Sequence, residues 1–220
     1  MWDINDKQGF EIESSCSRGQ INIDQDFGKI IYELAKNADN KIFVEIGTWN
    51  GLGSTKCFIE AMKTNKDTTL YTIENNTEKY EFAKSRWVNT IVEYNLTVNF
   101  LNGSLINIED VYRWISKNNI YLDDNQKYWL SIDKTNSTNI IKLGCQYIDI
   151  LLIDGGEYSG FLELMLLKPI SKYILLDDVN SIKNKTSREY LLSNTSYELI
   201  SEDLNSRNGY SIFKNIINNL

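Results

Sequence analysis

The chain has 220 residues, of which 42% are hydrophobic, and a formal net charge of -7. This length suits one domain with a sizeable core. The acidic balance argues against binding to nucleic acid or to an anionic membrane, because both require a dense basic surface. No apolar run approaches the ~20 residues that span a bilayer, and the polar N-terminus is unlike a signal peptide. We therefore expect a cytoplasmic protein with neither nucleic acid nor membrane as a partner.

The absence of histidine limits the chemistry that the chain can perform. It excludes a histidine triad, a histidine-ligated zinc site and a histidine general base. A proton acceptor must then be Asp, Glu, Lys, Tyr or Cys. Cys16, Cys57 and Cys145 are far apart and match no zinc or CxxC spacing, so we interpret them as reduced thiols.

Apolar periodicity and turn residues predict helices that alternate with strands. In chain order they predict a helix at 26–37, a strand at 41–47, a helix at 54–63, a strand at 69–74, a helix at 77–90 capped by Thr77, a strand at 96–101 and a helix at 108–117. Beyond an irregular stretch at 118–144, they predict a strand at 147–156, a helix at 161–167, a strand at 172–178, a helix at 186–193 and two strands joined by a turn at Asn208-Gly209.

This order indicates an α/β fold with a doubly wound, seven-stranded and mostly parallel sheet that ends in an antiparallel hairpin. Residues 1–40 are expected to form an arm and a helix that cover the site. Residues 41–220 form the main domain, with an insertion at 118–144 that we expect to be an extra lobe or a helix pair. Ligands bind beyond the carboxyl ends of parallel strands, and several predicted strands end in acidic residues there.

A glycine-rich segment follows the first strand with the spacing ExGxxxGxG, formed by Glu45, Gly47, Gly51 and Gly53. Its first gap is longer than in the dinucleotide pattern GxGxxG, and it holds the bulky Trp49. A loop of this width suits a ligand without a pyrophosphate. Glu74 ends the next strand, where its carboxylate can accept hydrogen bonds from both hydroxyls of a ribose. The pattern predicts a nucleoside ligand, although three glycines can also form a simple tight connection.

This combination resembles class I S-adenosylmethionine-dependent methyltransferases over roughly residues 41–220. The stretches IDGGEYSGF and KYILLDD further resemble small-molecule O-methyltransferases, of the methyltransferase-24-like, macrocin and catechol types. The resemblance implies a Rossmann-like fold, S-adenosyl-L-methionine as cofactor, and methyl transfer to a hydroxyl of a small molecule or sugar. Related enzymes are often dimers, so the resemblance also allows a homodimer.

The resemblance also implies roles for individual residues. The residues that it implies for cofactor binding are Glu45, Gly47, Thr48, Trp49, Gly51, Gly53, Ser54, Glu74, Asn75, Gly103, Ser104 and Asp154. Asp154, Glu157 and Asp178 are the candidate catalytic residues. Glu157 stands where related enzymes often carry histidine, so it is a candidate base or metal ligand. For Trp49, loop packing is the preferred interpretation over a catalytic role.

Three carboxylates at adjacent strand ends suggest a metal site. Asp154, Asp177 and Asp178 would repel one another unless a cation joins them or one holds a proton. Oxygen ligands favour Mg²⁺, Ca²⁺ or Mn²⁺, with Asn180 as an alternative ligand. The competing interpretation is that Asp177 caps a helix or pairs with a lysine and that no metal binds.

The acceptor site is expected in the parts that depart from the plain fold, namely the N-terminal arm with residues 18–20 and the insertion at 118–144. Tyr121, Tyr128 and Trp129 could stack on a sugar ring, although local core is preferred for Trp129. Lys183, Lys185 and Arg188 could bind an anionic acceptor, but a solvated face is the preferred interpretation. The rival functions are an NAD-dependent oxidoreductase, methylation of a protein or nucleic acid, and a non-catalytic nucleotide-binding module.

Overall fold

The computed structural model describes residues 21–136 and 139–217. Residues 1–20 of the predicted arm, which include Cys16 and residues 18–20, lie outside the described residues, so the arm's covering role stays a prediction. The elements in chain order are α1 (Asp26–Lys36), β1 (Ile42–Ile46), α2 (Ser54–Met62), β2 (Thr69–Glu74), α3 (Thr77–Tyr94), β3 (Thr97–Asn102), α4 (Ile108–Lys117), α5 (Asp124–Asn136), β4 (Ile148–Ile153), α6 (Gly160–Leu167), a 3-10 helix (Lys168–Ile170), β5 (Ser171–Asp177), α7 (Lys185–Ser193), β6 (Tyr197–Asp203) and β7 (Tyr210–Asn215).

The strands form one seven-stranded sheet in the order β3-β2-β1-β4-β5-β7-β6. The first five strands are parallel, whereas β7 runs antiparallel to both β5 and β6. This topology confirms the predicted Rossmann-like fold. The chain builds outward in one direction from β1 and in the other from β4, so a crevice opens between the carboxyl ends of these two strands.

The sheet is buried on both faces. All six residues of β4 are buried, which explains why five of them are apolar; the exception is Asp149, whose carboxylate accepts hydrogen bonds from the backbone N–H groups of Lys41 and Ile42. Successive side chains point to opposite faces. Phe43 therefore packs against Phe58 of α2 in one core cluster, whereas Val44 packs with Leu151 and Phe213 in the other.

Two details differ from the sequence prediction. Asn76, rather than Thr77, caps α3, because its side-chain oxygen accepts a hydrogen bond from the Lys79 backbone N–H at 3.0 Å. Within the described part of the insertion, the helix is α5, where we expected a lobe or a helix pair. Leu130 of α5 packs against Val111 and Tyr158, so the helix lies over the carboxyl edge of the sheet.

Within the described residues, no helix combines the length and apolarity needed to cross a membrane.

Candidate functional site

A cavity of about 410 Å³ opens at the carboxyl ends of the parallel strands. Its walls come from the glycine-rich segment after β1, the end of β2, helix α5 and the loop between β4 and α6. The volume is in the range of sites for small molecules and cofactors. The cavity therefore lies in the crevice that the strand order creates.

Gly47 brings the ends of β1 and β4 together. Its φ is +97°, a conformation that glycine adopts without penalty. A Cβ at this position would lie 2.2 Å from the Asp154 carbonyl oxygen, so a side chain cannot fit. Gly51 contributes differently, since its φ is +73° and its carbonyl accepts a hydrogen bond from the Trp87 indole at 2.7 Å. Gly51 thus fixes the segment to α3 and does not line the cavity.

Glu45 supports the glycine-rich segment from inside the protein. It is fully buried, and its carboxylate accepts hydrogen bonds from Ser54 (2.5 Å), Thr55 (2.7 Å) and Thr72 (2.6 Å). Since Thr72 gives its hydroxyl hydrogen to Glu45, Thr48 must be the donor in the 2.5 Å contact between the two threonines. Burial raises the pKa of Glu45 to about 7, although these hydroxyl donors act in the opposite direction. Glu45 does not line the cavity, so it acts on a ligand only through the loop.

Glu74 lines the cavity at the end of β2. Its two carboxylate oxygens accept hydrogen bonds from the backbone N–H groups of Trp49 (2.8 Å) and Asn76 (2.9 Å). Burial raises the pKa of Glu74, while these two donors and the charge of Lys79 lower it. A carboxylate has about four acceptor sites, so Glu74 can still accept hydrogen bonds from two ligand hydroxyls.

The structure brings most of the predicted cofactor-binding residues to this cavity. Those that line it are Gly47, Thr48, Trp49, Gly53, Ser54, Glu74, Asn75, Gly103, Ser104 and Asp154. Gly103 has a φ of +145°, and a Cβ there would lie 2.4 Å from the Asn139 carbonyl oxygen. Trp49 is 41% exposed, and the Lys79 ammonium lies 3.1 Å from the centre of its ring. Cofactor contacts at these residues stay a prediction.

The three aspartates of the predicted metal site converge. One ligand oxygen from each of Asp154, Asp177 and Asp178 lies within 4.8 Å of the others. Lys183, however, is inserted among them: its Nζ lies 2.5 Å from Asp154 Oδ1 and 3.2 Å from Asp178 Oδ2. Burial alone would disfavour the ammonium, but the charges of Asp154 and Asp178 outweigh it and raise the pKa of Lys183.

A second cation completes the cluster. The Arg207 guanidinium lies 3.0 Å from Asp177 Oδ2 and 3.5 Å from Asp178 Oδ1. Burial, followed by the charges of Asp154 and Asp178, raises the pKa of Asp177 to about 7. The carboxylate oxygens suit a divalent cation, but Lys183 and Arg207 already offset two of the three negative charges. With both cations in place, the three aspartates do not fit a metal ion in addition. The metal site therefore stays a prediction.

The basic residues after β5 do not form the expected solvated face. Lys183 is only 8% exposed, and Arg188 makes two hydrogen bonds to Glu202 at 2.7 and 2.8 Å. Lys185 is exposed. The amide nitrogen of Asn180, the alternative metal ligand, donates a hydrogen bond to the Leu204 carbonyl at 2.7 Å. The prediction for Lys183 was wrong because a strand-end cluster of carboxylates favours a buried cation.

Two of the carboxylates that line the cavity were not predicted from the sequence. Asp133 of α5 accepts a hydrogen bond from Asn75 at 3.3 Å, and burial raises its pKa. Its spacing from Trp129 and Leu130 would place the three residues on one side of a helix, and this pattern could have indicated Asp133 from the sequence. Glu163 of α6 is 4% exposed, and its Oε2 has no hydrogen-bond partner among the described residues. Burial raises the pKa of Glu163 to about 7.

The insertion's aromatic residues take different positions. Trp129 lines the cavity and is 43% exposed, so it is not the local core residue that we preferred. Tyr128 makes an edge contact with it at 5.6 Å between ring centres. Tyr121 is exposed and does not line the cavity. Trp129 is therefore the aromatic residue of these three that a cavity ligand would contact.

No family model matches the sequence, and the search of curated proteins finds no match. Solved structures do match. An O-methyltransferase from Bacillus cereus, in complex with SAH, shares 12% identity with a TM-score of 0.59 over 98% of this chain and 92% of that one. TomG from Streptomyces achromogenes is an O-methyltransferase involved in tomaymycin synthesis, and its structure is a complex with SAM. It shares 15% identity with a TM-score of 0.56 over 86% of this chain and 79% of that chain.

A methyltransferase from Geobacter sulfurreducens gives a TM-score of 0.57 at 12% identity over 89% of this chain and 81% of that chain. The chain therefore has the Rossmann-like fold of these methyltransferase structures. At such identities the likeness concerns the fold, and activity has to be argued from the site.

Proposed function

We propose that the protein is an S-adenosylmethionine-dependent O-methyltransferase that acts on a hydroxyl of a small molecule. The observation that carries this proposal is Glu74, a buried carboxylate that faces the cavity beside the glycine-rich segment. It is placed to accept hydrogen bonds from a ribose while Gly47 allows the backbone to approach the rest of a nucleoside. The neighbours of the same fold that contain SAH and SAM support this choice of cofactor.

The charge of the cavity separates this proposal from the dinucleotide alternative. Among the described lining residues, six are carboxylates and two are lysines. The carboxylates are Glu74, Asp133, Asp154, Glu157, Glu163 and Asp178, and the lysines are Lys79 and Lys183. A negatively charged cavity favours a cofactor whose reacting group is a sulfonium cation and disfavours an anionic pyrophosphate. An NAD-dependent oxidoreductase is therefore the weaker alternative.

Methyl transfer needs alignment of the two reactants and removal of one proton. The acceptor oxygen forms a bond to the methyl carbon, the carbon–sulfur bond breaks, and its electron pair stays on sulfur as a neutral thioether. Glu157 lines the cavity and is exposed, so it can receive the acceptor's proton and release it to water. Although the residue as a whole is exposed, the cavity walls partly desolvate its carboxyl group, and this, together with the charges of Asp178, Asp133 and Asp154, raises the pKa of Glu157. A raised pKa makes it a stronger base than an ordinary glutamate.

The acceptor is placed next to Trp129, on the side of the cavity that α5 forms. An exposed indole face favours a flat or weakly polar ring, such as the face of a sugar or of an aromatic alcohol. A sugar acceptor, a homodimer and a cytoplasmic location remain proposals from the sequence. Assistance by a divalent cation, which the sequence also predicts, is the weaker alternative, because Lys183 and Arg207 already contact the carboxylates that would bind it. The non-catalytic alternative predicts cofactor binding without methyl transfer to any acceptor in a screen with labelled cofactor.

Calorimetric titration with S-adenosylhomocysteine tests the proposal directly. We expect micromolar binding by the wild type, strong weakening by Glu74→Ala, and no effect of Glu78→Ala, which removes an exposed carboxylate from the first turn of α3. NAD, titrated in parallel, should not bind. If the wild type fails to bind S-adenosylhomocysteine, the methyltransferase proposal is rejected, and tight NAD binding would favour the oxidoreductase.

A further inference from the structure

Lys183 occupies the position between the aspartates where the sequence predicts a divalent cation. We propose that its side-chain ammonium takes over the role of that cation, so that Asp154 and Asp178 are held together and methyl transfer needs no divalent metal. This inference rests on the proposed function for its catalytic part, but the cation-binding part can be tested separately.

The loop that carries Lys183 is fixed to the sheet by its neighbour. Asn184 is fully buried, and its amide donates to the carbonyl oxygens of Ile153 (2.9 Å) and Asp177 (2.8 Å). These carbonyls belong to the ends of β4 and β5. The loop also passes close to α6, because a Cβ on Gly160 would lie 2.6 Å from the Lys183 carbonyl oxygen. Lys183 therefore has a defined place between the two strand ends that provide Asp154 and Asp178.

The charges in the cluster leave little for a further cation to neutralise. Asp154, Asp177 and Asp178 face the cations Lys183 and Arg207. A buried ammonium is tolerated only where it is paired and hydrogen-bonded. A divalent ion at the same oxygens would meet the Lys183 ammonium at contact distance and would have to displace it.

The ammonium also has a hydrogen bond to offer to the acceptor. It carries three N–H donors, of which two have acceptors among the described residues, namely Asp154 and Asp178. Lys183 lines the cavity, so the third donor can point at an acceptor oxygen there. When the acceptor's proton passes to Glu157, the ammonium stabilises the negative charge on the oxygen that attacks the methyl carbon. Lys183 keeps its own proton throughout.

The binding of Mn²⁺, followed by electron paramagnetic resonance, tests the inference without an acceptor. We expect the wild type not to bind Mn²⁺ specifically, and Lys183→Met to bind it at least about tenfold more tightly, because three carboxylates then lack their central cation. Lys185→Met makes the same change on the exposed part of α7 and should behave as the wild type does. Lys183→Gln provides a second variant if Lys183→Met does not fold.

Specific Mn²⁺ binding by the wild type that is lost in Asp154→Asn would overturn the inference. It would also be overturned if neither the wild type nor a folded Lys183 variant bound Mn²⁺, since Lys183 would then exclude nothing. If no Lys183 variant folds, the test is the Mn²⁺ binding of the wild type. Absence of specific binding then supports the inference, and specific binding rejects it. Titration of the same samples with S-adenosylhomocysteine separates the two proposals, because a wild type that binds both ligands contradicts only the inference.

Discussion

The backbone N–H of Trp49 donates a hydrogen bond to the Glu74 carboxylate over 2.8 Å. The glycine-rich segment and the acid at the end of β2 are therefore one unit, although 25 residues separate them in the chain. Asn76 donates to the other oxygen of the same carboxylate at 2.9 Å. A ligand that binds Glu74 consequently meets a carboxylate that is already held in position.

Glu74→Gln should weaken S-adenosylhomocysteine binding less than Glu74→Ala does. The amide keeps one acceptor oxygen, but it places an N–H₂ group against a backbone donor. We expect a loss of about tenfold in affinity, or ~1.4 kcal/mol, for the charged acceptor that is removed. Calorimetry measures this loss, and Glu78→Gln on the exposed part of α3 is the matched control. Unchanged affinity in Glu74→Gln would show that the ligand does not use this carboxylate.

Gly47→Ala should destabilise the protein and abolish cofactor binding. The new methyl group would lie 2.2 Å from the Asp154 carbonyl oxygen at a φ of +97°. The conformational penalty alone is about 1–2 kcal/mol, and separation of the two strand ends adds to it. Urea denaturation and calorimetry measure the two effects. Gly144→Ala is the matched control because a Cβ there has no atom within 4 Å. Normal binding by Gly47→Ala would contradict the close approach of β1 and β4.

Thr72→Val tests the hydrogen bonds behind the glycine-rich segment. The substitution keeps the shape of the side chain but removes the donor to Glu45 and the partner of Thr48. Leaving such buried groups without partners costs about 1–3 kcal/mol, which urea denaturation should detect. Thr97→Val, at the exposed start of β3, should have little effect. Equal stability of Thr72→Val and the wild type would mean that the hydroxyl contributes nothing to the loop.

Glu163→Gln should change how stability depends on pH. The pKa of Glu163 is about 7 in the folded protein, raised by burial from an ordinary value of 4.5. Between these values the folded state binds more protons than the unfolded state, so this group lowers stability as the pH rises towards 7. The neutral amide removes that loss. At pH 8 the variant should be more stable than the wild type by on the order of 2 kcal/mol.

The same comparison at pH 4.5 should show little difference, because the wild-type carboxyl is then protonated in the folded state. Thermal or urea denaturation of both proteins across this range gives the result. Glu189→Gln, on the exposed part of α7, controls for the change in net charge. A stability gain that does not vary with pH would contradict the raised pKa of Glu163.

The sequence by itself determined the order of the strands, the order of the helices outside the insertion, and the place of the glycine-rich segment. The apolar run Ile150–Ile153 in β4 indicates burial on both faces of the sheet. The spacing of Gly47 and Glu74 along the chain indicates a loop and an acid at neighbouring strand ends. These signals are local, or they connect adjacent strand ends that the fold rules bring together.

Only the tertiary structure decided what neutralises Asp154, Asp177 and Asp178. Lys183 and Arg207 lie far from Asp154 in the chain, and each could equally have been a solvated surface residue, because periodicity does not reveal where a loop side chain points. The contact of Asp133 with Asn75 likewise depends on how α5 packs across the sheet edge. Long-range pairing of charges is set by the path of the loops, and that path is fixed by contacts such as those of Asn184 with the ends of β4 and β5.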